Sequence, residues 1–146
     1  MLNHYHHTQV GFFTIIALAV AWVFSALLMA NLGLYWPVLV AMIIFSICLV
    51  LFATLTVDIK ERVLEIRFGP GIIRKTFSLK EIEFCQVVKN PWYYGWGIRR
   101  TPHGWLYNIS GLHAVEITLK NGKKYRIGTD EPNALAQAIQ NVIGKA

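Results

Sequence analysis

Two long apolar runs dominate the first third of the chain. They extend over residues 10–30 and 36–56, and neither contains Asp, Glu, Lys or Arg. Because about 20 helical residues span the roughly 30 Å hydrocarbon core of a bilayer, each run is predicted to be a transmembrane helix. Between the runs, Asn31 and Gly33 favour the end of one helix and Pro37 the first turn of the next. The two runs are therefore predicted to form a hairpin.

Beyond residue 54 the pattern changes from continuous apolar runs to alternation. Leu55, Val57 and Ile59 alternate with polar residues, and similar runs follow at 63–68, 72–78, 81–88, 114–119 and 124–127. Alternation of this kind is typical of half-buried β-strands. A Gly-Pro-Gly turn at 69–71 and the pair Asn121-Gly122 predict antiparallel hairpins. We expect about six or seven strands.

The last segment changes to helical spacing. Pro132 stands where a first helical turn is expected, and Leu135 and Ile139 follow one turn apart within residues 134–143. The chain therefore divides into a two-span hairpin at 1–57 and one soluble domain at 58–146, of α+β class with a C-terminal helix.

The charged residues separate the same two parts. All 14 Lys and Arg and all 8 Asp and Glu lie at or beyond Asp58, and the net charge is +6. Lys60, Arg62 and Arg67 follow the second run closely, whereas the connecting loop has no Lys or Arg. By the positive-inside rule, the domain is predicted to be cytoplasmic, and with two spans both termini lie there. A basic domain also suits an anionic leaflet.

A cleaved signal peptide is the alternative for the first run, but the run lacks a basic region before it and is longer than the usual apolar core of a signal peptide. The two cysteines, Cys48 and Cys85, fall in different halves and are not expected to pair, which suits a reducing compartment.

Four motifs carry a resemblance to a known family. They are GWGIR at 95–99, GWLYNISG at 104–111, AVE at 114–116 and RIGTDEP at 126–132. In this order they resemble a bacterial family of small membrane-anchored proteins with a pleckstrin-homology-like (PH-like) domain. The resemblance implies a strongly bent antiparallel sheet capped by a C-terminal helix, and a multi-pass protein of the bacterial cytoplasmic (inner) membrane. It brings no catalytic residue and no cofactor.

An aromatic and glycine-rich segment at 91–107 is the best candidate for function. Trp and Tyr beside Arg favour headgroup regions and protein interfaces. The alternative is that the rings close the small core of the domain, and the two interpretations have equal support. The residues of the predicted docking surface are Trp92, Trp96, Arg99, Arg100, Trp105 and Tyr107.

A second candidate consists of basic residues near strand turns. Arg74, Lys75, Lys123 and Lys124 are candidate contacts for a lipid headgroup. Glutamates at 61, 65, 81 and 83 interrupt the basic residues, which favours a solvated face of mixed charge.

Other chemistry has little support in the sequence. His4, His6 and His7 have no Cys, Asp or Glu nearby to complete a metal site, so a mobile polar flank is expected there. His103 and His113 have no nucleophile at a recognisable spacing. We therefore expect no metal, no cofactor, no catalysis and no nucleic acid.

The sequence as a whole favours a non-catalytic, membrane-anchored interaction module, a scaffold or accessory subunit of a membrane protein complex. Its expected partners are membrane lipid and another membrane protein, and a homo-oligomer stays open. The alternative function is binding of anionic lipid headgroups at the cytoplasmic membrane surface.

Overall fold

The computed structural model describes residues 4–109 and 111–144, so Ser110 of the second motif lies outside the described residues. The predicted α+β class and the C-terminal helix are confirmed. In this part of the chain the strands are β1 (Tyr5–Val10), β2 (Thr54–Lys60), β3 (Val63–Phe68), β4 (Ile73–Ser78), β5 (Ile82–Lys89), β6 (Gly97–Thr101), β7 (Gly104–Asn108), β8 (His113–Leu119) and β9 (Lys124–Gly128). The α-helices are α1 (Phe12–Leu32), α2 (Trp36–Phe52) and α3 (Pro132–Ile143).

The strands form two sheets rather than one. The first has the order β1-β2-β3-β4 and the second β5-β8-β9-β7-β6. Only one of the described strand pairs is parallel, β7 with β9, where Leu106 lies opposite Arg126. The expectation of about six or seven strands in one antiparallel sheet was therefore wrong. The chain passes from β7 to β8 and returns through the Asn121-Gly122 turn, so β9 fills the space between them and runs along β7.

The first strand corrects a second expectation. The tail with His4, His6 and His7 was predicted to be a mobile polar flank, but β1 pairs with β2 over six positions, from Tyr5 opposite Ile59 to Val10 opposite Thr54. The sequence-predicted boundary at residue 58 also lies inside β2. Helices α1 and α2 are thus inserted between two adjacent, hydrogen-bonded strands.

The inserted helices pack against each other and leave their apolar side chains exposed. Ser25, which donates a hydrogen bond to the Ala21 carbonyl at 2.8 Å, is the buried residue of α1, and α2 has none among its described residues. Gly33, with φ of 83°, ends α1 because this left-handed conformation suits glycine. Pro37 lies in the first turn of α2.

The two helices differ in length. With 21 residues, α1 is about 32 Å long and is apolar enough to cross a membrane, a property that spans and signal sequences share. With 17 residues, α2 is an apolar helix of about 26 Å, at the lower end of the range for a span.

The core lies between the two sheets and is closed by α3. Alternation places Leu55, Val57 and Ile59 of β2 inside, as the sequence predicted. From α3, which packs on β5 and β8, Leu135 and Ile139 are fully buried, while Val142 and Ile143 pack at the margin of the core. The exposed face of α3 carries Gln137 and Gln140.

The α3 packing generates a prediction. Leu135→Asp or Ile139→Asp is expected to unfold the domain, because a buried unpaired carboxylate costs several kcal/mol, roughly the whole stability of a small domain. Gln137→Asp, on the exposed face, should change stability by less than about 0.5 kcal/mol. Urea unfolding followed by circular dichroism on the detergent-solubilised chain measures both. Equal losses from the three substitutions would contradict the assignment of the buried face.

Candidate functional site at the base of the helix pair

One end of each sheet adjoins the helix pair, and the other end lies away from it. Val10 and Thr54 flank the helices directly, and register places Phe68 and Ile73 beside them. In the second sheet, Ile109 follows β7 and accepts a hydrogen bond from Thr14 of α1. Since β9 runs parallel to β7, Gly128 lies at the same end. We call this the helix end of the domain, and the opposite end, with Lys124, the far end.

Backbone contacts fix the helix pair to the domain. The Gly11 N–H donates to the Ala53 carbonyl at 2.8 Å, which ties the start of α1 to the end of α2. Gly69 has φ of 54°, and a Cβ there would lie 2.4 Å from the Val50 carbonyl oxygen. The β3–β4 turn therefore packs so closely on α2 that only glycine fits.

The aromatic segment does not form a single surface. Trp92 belongs to a short 3₁₀ turn (Trp92–Tyr94) and is 77% exposed, beside Tyr93 at 67%. Trp96 instead stacks on Phe13 of α1, with ring centroids 4.1 Å apart. The predicted loop is mostly structured, because β6 and β7 form a hairpin within it.

The two arginines of the segment lie on opposite faces of the second sheet. Arg99 pairs with Leu106 and Arg100 with Trp105 across the β6–β7 ladder, and successive strand residues point to opposite faces. Trp105 is partly exposed next to Arg100. Tyr107 was wrongly placed on the docking surface, because it is only 8% exposed and its ring packs on Phe68 and Tyr125 of the core. Burial raises the pKa of the Tyr107 hydroxyl.

A groove separates the base of the helix pair from the edge of the second sheet. Its volume is about 490 Å³. We call it the junction groove, and it is lined chiefly by apolar side chains. Its walls include Phe13, Ala17, Leu18, Cys48, Trp96 and Arg99.

Arg99 is the cation of the junction groove. Its Nε donates to the Trp96 carbonyl at 3.0 Å, and its guanidinium lies over Gly95, where a Cβ would be 3.1 Å from the guanidinium carbon. No carboxylate of the described chain forms a salt bridge with Arg99, and residues 91–109 contain no Asp or Glu. The charge of Arg99 is therefore available to an anion from outside the chain.

The four candidate headgroup contacts do not converge. Arg74 lies near the helix end, where it donates to the Gly71 carbonyl at 2.6 Å and faces Glu65 at 3.9 Å. Lys123 and Lys124 lie at the far end, roughly 13 Å along β9 from Gly128. Lys124 faces Glu116 at 3.9 Å. Lys75 lies over the Phe77 and Tyr125 rings, at 5.7 and 5.8 Å.

The second sheet contains a buried ionic network that the sequence pattern did not predict. Arg126 Nε donates to Glu116 at 2.8 Å and Nη1 donates to the Asn90 side-chain oxygen at 2.9 Å. Gln86 donates to the same glutamate at 3.3 Å. Alternation on β8 and β9 hints that Glu116 and Arg126 share a face, but nothing in the pattern shows that this face is covered. The network holds the segment after β5 onto the second sheet.

The N-terminal histidines also have structural partners. His7 Nε2 lies 2.5 Å from Asp130, and the Tyr5 hydroxyl donates to Glu131 at 3.4 Å. Burial and the Glu131 carboxylate raise the pKa of Tyr5, so the phenol stays protonated as a donor. In residues 4–109 and 111–144, no group of three or more His, Cys, Asp or Glu could hold a metal ion. These contacts tie β1 to the segment before α3.

No family model, curated protein or solved structure matches the chain. The resemblance to membrane-anchored PH-like proteins therefore stays a prediction from the motifs.

The surroundings of Cys85 generate a second prediction. Its thiol is 2% exposed and lies 3.7 Å from the Ala136 carbonyl, and burial raises the pKa of the thiol. A higher pKa means less thiolate at a given pH. In a Cys48→Ala chain, iodoacetamide at pH 8 should modify Cys85 at least about tenfold more slowly than in 8 M urea. Equal rates would show that Cys85 is accessible.

Proposed function

We propose that this protein is a non-catalytic, membrane-anchored interaction module, in which a two-span helical hairpin holds a PH-like domain at the cytoplasmic membrane surface. One observation carries the proposal. The helices are inserted between paired strands and expose apolar side chains that the domain does not cover.

The inserted position favours an anchor over a cleaved signal sequence. Strand β1 precedes α1 and pairs with β2 over six positions. Cleavage after α1 would remove β1 and leave that edge of β2 unpaired, which costs backbone hydrogen bonds and exposes a sheet edge. The position of the strands also supports a second span. A chain that crosses the membrane through α1 must return to reach β2, and α2, with an uncharged sequence and no buried residue, is suited to do so.

The proposed orientation of the domain and its PH-like fold class rest chiefly on the sequence. Lys60, Arg62 and Arg67 follow the helices, and the three-residue connection at 33–35 has no charge, which favours a cytoplasmic domain. Two sheets around one core, closed by a C-terminal helix, are compatible with the PH-like resemblance.

A protein partner is favoured over a headgroup site built from the four basic residues. Those residues lie at opposite ends of the domain, and Arg74 and Lys124 already face carboxylates. Trp92 and Tyr93 are large, exposed and in edge-to-face contact, with ring centroids 6.0 Å apart. Trp and Tyr are enriched among residues that dominate binding energy at protein interfaces. We infer that these two rings contact another membrane protein.

The third prediction tests this contact. The double variant Trp92→Ser, Tyr93→Ser should weaken association with a stoichiometric partner about 30-fold or more, since loss of such residues costs about 2 kcal/mol. Folding should be unchanged, because both rings are exposed. The measurement is quantitative mass spectrometry of the tagged full chain purified from native membranes in mild detergent.

Ile72→Ser is the matched control, since Ile72 is 76% exposed but lies in the β3–β4 turn. It should retain the partner. Recovery of the same partner in equal amount with the wild type and the aromatic variant would contradict docking through Trp92 and Tyr93.

A further inference from the structure

We propose that the junction groove binds one phospholipid of the surrounding bilayer, with an acyl chain along the helices and the phosphate against Arg99. This proposal rests on the membrane anchor proposed above, but it assigns a separate site. The contacts of the predicted partner surface, Trp92 and Tyr93, are not part of the groove lining.

The groove lies at the depth where a phospholipid changes from polar to apolar. Phe13 and Thr14 belong to the first turn of α1, which is fixed to the domain through Ile109. Leu18 lies five residues beyond Phe13, about 7.5 Å deeper at 1.5 Å per residue. The groove therefore extends from the level of the headgroups, where Trp96 and Arg99 lie, into the hydrocarbon region of an anchored chain.

The chemistry of the walls matches the two parts of a phospholipid. The deep part consists of Ala17, Leu18 and Cys48, which contact an acyl chain without leaving a polar group unpaired. At the shallow part, Arg99 has no carboxylate partner in the described chain, and guanidinium groups bind phosphate through paired hydrogen bonds. The charge of Arg99 thus favours an anionic group at one end of the groove, and the apolar walls favour an alkyl chain at the other.

Trp96 adds a separate observation. Its ring stacks on Phe13, and its indole nitrogen is buried without a hydrogen-bond partner among the described residues. Buried donors are normally paired, so an unpaired one marks a place where an acceptor from another molecule is expected. An ester or phosphate oxygen of a lipid that enters the groove beside Phe13 supplies such an acceptor.

The test uses the full chain, purified in detergent and depleted of lipid. Native mass spectrometry follows the binding of dioleoyl phosphatidylglycerol to the wild type and to four variants. Arg99→Gln should weaken the first binding step about fivefold, the effect of one cation worth about 1 kcal/mol. Arg100→Gln is the matched control, because Arg100 lies on the opposite face of β6. Ala17→Leu should block the chain site, whereas Ala30→Leu, at the other end of α1, should not.

The outcomes separate the possible occupants. Equal lipid binding by all four variants overturns the proposal while leaving the anchor intact. If millimolar inorganic phosphate displaces the bound lipid as effectively as added lipid does, the groove is a simple anion site and the proposal is also overturned. If the lipid-free chain forms a dimer and only Ala17→Leu disrupts it, the groove holds a second copy of the chain, and the lipid proposal is overturned. If the wild type leaves native membranes during an alkaline carbonate wash, the anchor itself fails, and the lipid site with it.

Discussion

The pairing of β1 with β2 is the constraint on which the rest of the structure depends. Six consecutive residue pairs join the strands on either side of an insertion of more than 40 residues. Closing so long an insertion has an entropic cost, and the ladder offsets it together with the packing of α1 on α2. The Thr8 to Thr56 side-chain contact at 3.0 Å lies within this ladder, and the Gly11 to Ala53 hydrogen bond continues the pairing up to the helices. The domain and the helix pair thus form one unit rather than two bodies on a linker.

This constraint orients the domain and gives its surfaces different roles. Two connections, before α1 and after α2, resist tilting that a single tether would allow. In the proposed membrane-anchored arrangement, the helix end, with Arg99 and Trp96, is held at the membrane surface, whereas the far end, with Lys123, faces away from it. Cations that look equivalent in the sequence are therefore separated by the length of a strand. Arg99, close to the groove, is suited to a lipid phosphate, and Lys123 is not.

Local patterns predicted those parts of the fold that depend on local chemistry. Continuous apolar runs predicted α1 and α2, helical spacing predicted α3, and the Asn121-Gly122 pair predicted the β8–β9 hairpin. The aromatic residues and arginines of residues 91–107 predicted a docking surface there, and in the structure Trp92 is exposed while Trp96 and Arg99 line the junction groove.

Features that depend on distant partners were missed. The sequence YHHTQV of β1 is polar and has no apolar alternation, since its partners are a neighbouring strand and the Asp130 and Glu131 carboxylates. The parallel pairing of β7 and β9 and the burial of Glu116 with Arg126 follow from topology. In the sequence, Tyr107 lies among tryptophans and arginines as an interface tyrosine would. Only its contact with Phe68 and Tyr125 shows that it belongs to the core.

The central claim is that both strands next to the helix pair lie on one side of a membrane that the pair crosses twice. Single cysteines at His6, Leu34 and Asn121, in a chain with Cys48→Ala and Cys85→Ala, test it with a membrane-impermeant maleimide on intact cells. Leu34 is 82% exposed and lies between the helices, while His6 and Asn121 are exposed positions of the domain. The account predicts labelling at residue 34 in intact cells, and labelling at residues 6 and 121 only after permeabilisation. Labelling of residues 6 and 121 from opposite sides, or of all three from one side, would contradict it.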